Sequence, residues 1–298
     1  MKIFLTGSTG FIGSRLLGKF PFSDEIYALY RRDPGTLPEN IRILQGDLDS
    51  PDDLFFRLSE IRPDVCIHLA WEGIPDYGYK QSLRNLEHSS KLMQHLVEEC
   101  GCKKIIAAGS CWEYNKAFGP CSESDPGSHG GNHFVWAKRS LCDFGLMLAS
   151  RYKISFFWTR LFYVYGPGQR SGSLIPTIAE ALLKGVPPNI QTPSNANDFV
   201  YVDDVADAMI QLVYREVLTG IYNLGTGYSV PVWKVCEILE RSLGYEPSCA
   251  AQMKALNKSV TADFWADTTK SSLFLKWRAS TSLEEGIGQY IRTIGVRN

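Results

Sequence analysis

Lys2-Ile3-Phe4-Leu5-Thr6-Gly7-Ser8-Thr9-Gly10-Phe11-Ile12-Gly13 opens the chain, and its reading decides the fold. Lys2–Thr6 is a short apolar run and predicts a strand. The pattern from Phe11 to Lys19 predicts a helix. Gly7 permits a tight turn between the two, Gly10 lets the backbone approach a pyrophosphate, and Gly13 lets helix and strand pack closely. A helix N-terminus placed after such a loop turns free N–H groups and the positive end of its dipole toward phosphates. An ordinary glycine turn shares the spacing, but the flanking strand and helix are the context a dinucleotide site requires.

Outward from this loop, Ile26–Tyr30, Ile41–Leu44, Val65–Ala70, Lys104–Ala108 and Ile154–Phe162 read as further strands. Lys80–Cys100 places Leu83, Leu86, Met93, Leu96 and Cys100 on one helical face. His133–Tyr152 aligns Phe134, Ala137, Leu141, Phe144 and Leu148 in the same way. Strands alternating with helices imply an α/β fold, a doubly wound parallel sheet of the Rossmann type. After Tyr165-Gly166-Pro167-Gly168 the rhythm weakens, and Pro176, Pro187, Pro188 and Pro193 interrupt it. The expected division is a dinucleotide-binding domain over 1–166, to which the chain returns near 198–224. A smaller C-terminal lobe takes 167–197 and 225–298.

The totals narrow the partners. The 298 residues are 44% hydrophobic and 21% charged, with a net charge of −1. No basic excess favours nucleic acid, so a small molecule or another subunit is expected. The eight cysteines form no CxxC pair and the five histidines show no zinc spacing, so no metal is expected. Glycine follows the first apolar residues too soon for a signal peptide, and no apolar run approaches the ~20 residues of a membrane span. A cytoplasmic setting with reduced cysteines is the simplest expectation.

The second strand bears on the dinucleotide. NAD sites usually place an acid at its end, to bond the ribose hydroxyls. Here it ends Leu29-Tyr30-Arg31-Arg32, with no acid before Asp33. Guanidinium groups suit a 2′-phosphate, so Arg31 and Arg32 favour NADP(H) over NAD(H). A pair of solvated surface arginines is the plain alternative.

The Gly-x-x-Gly-x-x-Gly spacing resembles the extended short-chain dehydrogenase/reductase family, of the NAD-dependent epimerase/dehydratase type that modifies sugar nucleotides. Further resembling blocks follow in family order: Gly46-Asp47-Leu48, His68-Leu69-Ala70, the helix segment beginning at Asn85, and Arg160-Leu161-Phe162-Tyr163-Val164-Tyr165-Gly166-Pro167. Asp198-Phe199-Val200-Tyr201-Val202-Asp203-Asp204-Val205 and Tyr222-Asn223-Leu224-Gly225-Thr226-Gly227 complete them. The resemblance implies cofactor contacts from Gly7, Gly10, Phe11, Ile12, Gly13, Asp47, Leu48, Leu69, Ala70, Lys138 and Leu161. It also implies a homodimer in which the two long helices pair with their symmetry mates.

Family chemistry uses Ser or Thr, Tyr and Lys around the sugar oxygen. The Ser resembles Ser110 and the Lys resembles Lys138; the Tyr position, one helical turn before the Lys, holds Phe134. Phenylalanine cannot transfer a proton. Three readings stand open: an engineered change, a natural variant using another acid such as His133, and a cofactor-binding protein without catalysis. Phe134 as a plain core residue is compatible with each of them. The resembling 4,6-dehydratases carry Asp-Glu after the catalytic Thr, whereas Cys111 and Trp112 stand here and Glu113 is one place off. Dehydration is therefore disfavoured, and Cys111 reads as a small buried filler rather than a nucleophile.

For the substrate, a nucleotide-linked sugar, the resemblance points to Ser110, Cys111, Tyr163, Leu174 and Asn197. Asn197 replaces an arginine that pairs with phosphate, and Tyr163 replaces an asparagine. Ser173-Leu174-Ile175-Pro176 reads equally as a helix start. Asp267 and Lys270 resemble the block that closes the lobe, or are surface charges. The expected activity is NADP(H)-dependent reduction of a nucleotide-linked 4-keto sugar. The alternatives are an NAD-dependent 4-epimerase and, from another class, a non-catalytic NADP-binding sensor.

Overall fold

The computed structural model describes residues 1–295 except 33, 34, 36, 115, 128–130, 257 and 258. Asp33, the acid expected after the two arginines, lies outside the described residues. The first half of the chain runs β1 (Lys2–Thr6), α1 (Gly13–Leu17), β2 (Glu25–Tyr30), β3 (Ile41–Gln45), α2 (Asp52–Ile61), β4 (Val65–His68), α3 (Tyr79–Glu98) and β5 (Lys104–Ser110). Then come β6 (Phe118–Cys121), α4 (His133–Tyr152), β7 (Ser155–Leu161), β8 (Tyr163–Tyr165), α5 (Leu174–Leu183), β9 (Ala196–Asn197), β10 (Phe199–Tyr201) and α6 (Val202–Tyr214). The last elements are β11 (Gly220–Leu224), β12 (Val230–Pro231), α7 (Val232–Ser242), α8 (Ser248–Ala255), β13 (Asp263–Ala266) and α9 (Leu283–Thr293).

Side chains of β1 alternate between two cores, because successive residues of a strand face opposite sides. Ile3 and Leu5 pack with Leu16 of α1 and with Val205 and Met209 of α6. Phe4 packs on the other side with Leu54 of α2, Leu92 and Met93 of α3 and Leu141 of α4. A strand buried on both faces belongs in a parallel sheet covered by helices. Among the described residues, seven strands form that sheet in the order β3-β2-β1-β4-β5-β7-β11, with every pairing parallel. Strand order reverses between β1 and β4, so a crevice opens at their carboxyl ends, where ligands of such sheets bind.

Several element ends differ from expectation, each for a local reason. The first helix spans Gly13–Leu17 rather than Phe11–Lys19, since Gly10 N–H turns back to the Gly7 carbonyl and Gly18 closes the last turn. The strand expected over Val65–Ala70 stops at His68, because the amides of Leu69 and Ala70 turn to the Thr6 hydroxyl. Helix α2 follows Pro51 with Asp52 and Asp53 in its first turn, a start suited to the helix dipole that apolar periodicity does not show.

A second sheet, β12-β9-β13-β6, stands beside the first. It draws β6 from the first half of the chain. Helices α5, α7, α8 and α9 pack around Tyr165, Phe199 and Tyr201 in a separate core. Asp198 ties this region together: buried, it accepts from Thr226 N and Oγ1, Gly227 N and Ala266 N. All eight cysteines are free thiols. Among the described residues no helix is long and apolar enough to cross a membrane.

Candidate active site

The crevice begins at the end of β1. Gly7 adopts φ +70°, and a Cβ there would stand 2.8 Å from the Leu69 carbonyl carbon. A Cβ on Gly13 would lie 2.1 Å from the Gly7 carbonyl oxygen, so the loop closes only on glycine. Thr6 fixes the neighbouring strand end. Its Oγ1 accepts from Leu69 N and Ala70 N, both at 3.1 Å, and meets His68 Nδ1 at 2.8 Å. With both lone pairs used, the hydroxyl proton goes to Nδ1. Burial and the nearby Lys138 charge take His68 down to about 3, so the ring is neutral and its Nε2–H donates to Ser89 Oγ at 2.9 Å.

One cavity, of about 240 Å³, lies beside this loop. Gly7, Thr9 and Gly10 form one wall, and Leu29, Asp47, Leu48 and Ala70 form others. Arg31 lines it, but its Nη1 is held at 2.6 Å by Glu72 Oε1, and Glu72 lines the same space. Asn85 clamps that acid in place, accepting from Glu72 N at 2.8 Å and donating to Glu72 O at 3.0 Å. Arg32 is exposed and lines neither this cavity nor the next. The expectation that Arg31 and Arg32 would both face the dinucleotide is thus corrected for Arg32. One arginine is there, with a carboxylate beside it from the loop after β4.

A second cavity, of about 450 Å³, adjoins the first and shares Gly7, Gly10, Leu69 and Trp71 with it. Phe11, Ile12, Gly13, Leu161 and Tyr163 line it together with Ser110, Cys111, Phe134 and Lys138. Ser110 ends β5, and its Oγ accepts from Trp112 N at 3.2 Å, leaving its proton to donate into the cavity. Lys138 is buried; its Nζ donates to Ala108 O at 2.7 Å and lies 3.7 Å from the centre of the Trp71 ring. Burial brings its ammonium down to about 7, against the opposing pull of the Glu113 carboxylate.

Phe134, one turn before Lys138, joins the aromatic wall rather than the sheet core. Trp71, Tyr77 and Trp112 meet its ring edge-on at 5.7, 5.3 and 6.1 Å. The His133 alternative fails on geometry: that side chain is exposed, packs against Tyr79 at 5.5 Å and lines neither cavity. Burial pushes the Cys111 thiol well above its ordinary value, which suits a filler. Glu113 points away, fully buried, taking Arg160 Nε at 3.0 Å, Trp158 Nε1 and the Ser110 amide. No acid–base pair for eliminating water follows Ser110.

Other expected residues stand apart. Leu174 opens α5 and packs with the helical core, and Asn197 lies in β9 opposite Val230; neither lines either of these two cavities. Asp267 accepts from Thr269 N, and Lys270 Nζ donates to Ile221 O at 2.7 Å beneath the Tyr222 ring. Trp71, Glu72 and Tyr77 line the site without a sequence signal. They sit in a loop without periodicity, where only the Trp directly after His68-Leu69-Ala70 marks a departure in composition.

A family model described as the NAD dependent epimerase/dehydratase family matches residues 3–225. The chain is 25% identical over 310 residues to a trifunctional UDP-glucose 4,6-dehydratase/UDP-4-keto-6-deoxy-D-glucose 3,5-epimerase/UDP-4-keto-L-rhamnose-reductase of Arabidopsis thaliana. That match takes in 96% of this chain and 46% of the plant protein, so the chain spans about half of that relative's length. Among solved structures it is similar to a UDP-glucose 4-epimerase of Thermotoga maritima, with a TM-score of 0.83 at 23% identity over 99% of this chain and 98% of that one. It is also similar to MoeE5, solved in complex with UDP-glucose and NAD, with a TM-score of 0.81 at 28% identity over 98% of each chain.

Proposed function

Since this chain belongs to the NAD dependent epimerase/dehydratase family, we propose that it carries out redox chemistry at carbon 4 of a nucleoside-diphosphate sugar. The observation that carries this reading is the joining of two cavities along Gly7, Gly10, Leu69 and Trp71. One holds adenosine-sized space beside Asp47 and Leu48; the other holds Ser110 and Lys138. A nicotinamide dinucleotide fits this groove: Gly7 and Gly13 leave no room for a Cβ, and Gly10, Phe11, Ile12, Ala70 and Leu161 complete the walls. Bound there, it supplies or accepts the hydride. Ser110 directs its hydroxyl at the sugar oxygen, Lys138 places a cation beside the nicotinamide ribose, and Tyr163 borders the sugar. The aromatic wall excludes water.

Within that chemistry, 4-epimerisation with NAD is the first reading. Glu72 beside Arg31 suits a ribose with free hydroxyls and opposes a 2′-phosphate. MoeE5, 28% identical, was solved with UDP-glucose and NAD. The second reading, NADP(H)-dependent reduction of a 4-keto sugar, rests on the Arg31 guanidinium in the cavity wall. Incubation with UDP-glucose and NAD, followed by NMR of the sugar, is expected to show interconversion at carbon 4. Oxidation of NADPH by a 4-keto nucleotide sugar, with no interconversion, selects the reductase instead. In the same preparations Arg31→Ser is expected to change NAD binding less than threefold; a selective loss of NADP binding supports the reductase. Dinucleotide binding with no turnover of either substrate returns the sensor reading.

We also infer a homodimer. The inner faces of α3 and α4 pack on the sheet through Leu92, Leu96, Leu141 and Leu148, while Tyr79, Leu83, Trp136 and Met147 point outward. An apolar face of this kind fits a second copy of itself.

A further inference from the structure

Redox chemistry at a sugar carbinol needs a group that gives and takes a proton at the oxygen, and Phe134 has none. The cavity walls hold few substitutes. The Cys111 thiol is buried and pushed far up, and His68 is committed to Thr6 and Ser89. Ser110 has an aliphatic hydroxyl, a weak acid without an activating base. Tyr163 is wedged against Phe199 at 5.8 Å and Phe264 at 6.2 Å; its hydroxyl already accepts from Trp112 Nε1, and burial lifts it to about 12.

Tyr77 is placed differently. It lies in the loop between β4 and α3 and lines the same cavity as Ser110 and Lys138. Its ring meets Phe134 at 5.3 Å and 61°, and Trp112 at 5.3 Å and 62°. These two rings hold it beside Phe134, in the wall of the cavity that Ser110 and Lys138 also line. It is half-buried, and no hydrogen bond to its hydroxyl occurs among the described residues. A phenol fixed by its ring and unpaired at its oxygen is free to meet a ligand.

We propose that Tyr77 supplies the phenolic hydroxyl that position 134 lacks, exchanging a proton with the sugar oxygen that Ser110 also bonds. This inference rests on the proposed carbon-4 chemistry. In the reducing direction the carbonyl carbon gains a hydride from a dihydronicotinamide dinucleotide, and the carbonyl oxygen takes the Tyr77 proton. The products are the alcohol, the oxidised dinucleotide and a Tyr77 phenolate, which a solvent proton restores. Oxidation runs the same transfers backwards.

Tyr77→Phe keeps the ring and its packing. With UDP-glucose and NAD it is expected to lower kcat by ~10²–10⁴-fold with KM within about threefold, as loss of a positioned acid does. Adding Phe134→Tyr to that variant is expected to recover at least tenfold of the loss, on the same principle. A second readout needs neither dinucleotide nor turnover: tyrosine ionisation followed by ultraviolet absorbance, wild type minus Tyr77→Phe. UDP-glucose is expected to shift the ionisation of the single phenol seen in that difference. Wild-type turnover by Tyr77→Phe, or a difference titration blind to bound UDP-glucose, overturns the role of Tyr77 and leaves the carbon-4 reading standing. A wild-type chain that binds dinucleotide yet acts on no nucleotide sugar overturns both.

Discussion

Lys138 shows how one residue carries a cost for its task. Its ammonium is buried, one backbone carbonyl and one indole face stand against it, and its value falls from 10.5 to about 7. Between these two values the unfolded chain binds a proton that the folded chain does not. The burial cost is therefore complete below about pH 7 and fades as pH rises toward 10.5. Lys138→Met fills similar space without charge. It is expected to be more stable than the parent at pH 6, with the advantage level to pH 7 and then shrinking by at most ~1.4 kcal/mol per unit above it. Urea unfolding of both proteins at pH 6, 7, 8 and 9 checks this; an advantage that grows with pH contradicts it. A residue that destabilises its own fold at neutral pH is one kept for its cation or its proton.

At the scale of elements, the turn after β5 positions Ser110 through a buried network. Residues Cys111–Glu113 form a single 3-10 turn capped by Ser110 itself, with the Ser110 amide donating to Glu113 Oε1 at 2.7 Å. Glu113 is locked to β7 by Trp158 Nε1 and by Arg160 Nε at 3.0 Å. The Arg160 guanidinium lies 4.3 Å from the Tyr114 ring, whose hydroxyl donates to Asn223 Oδ1 on β11 at 2.6 Å. The turn, β7 and β11 are thus tied into one unit behind the cavity. Glu113→Gln keeps the shape and the neutral hydrogen bonds but leaves Arg160 buried without its counter-charge. A loss of about 3–5 kcal/mol is expected, measured as unfolding free energy in urea. A loss below about 1 kcal/mol, the worth of an exposed pair, counts against a structural role for this ion pair.

Across the whole molecule, the parallel sheet sets the crevice, and the helices α3 and α4 set the outer face. Their inward residues share one core with the sheet, yet Trp136 and Met147 remain about half exposed, at 45% and 50%. Trp136→Glu together with Leu83→Glu puts like charges on both sides of a two-fold contact. At micromolar concentration the parent is expected to scatter light with the mass of a dimer and the double variant with the 33.4 kDa of one chain. A parent that already scatters as one chain contradicts the dimer.

Much of the fold was legible because the sequence carries it locally. The strand–glycine–helix opening and the helical faces that bury Met93 and Leu96 in α3 and Leu141 and Leu148 in α4 follow from spacing alone, whereas Leu83, placed on the first of these faces, points outward. Ser110, Phe134 and Lys138 were named by motif, and the fold brings them to one cavity. Leu174 and Asn197 were named in the same way, but order along a chain carries no distance, and they lie against the helical core around Tyr165 and in β9 opposite Val230. What only the tertiary structure decided are meetings between loops. Arg31 follows β2 and Glu72 follows β4, and they meet at 2.6 Å because those strands flank β1 and end on the same edge. Trp71 and Tyr77 reach Lys138 and Phe134 because the loop after β4 crosses the start of α4. Periodicity records which face of an element is buried. It is silent about loops, whose side chains are placed by what the sheet order sets beside them.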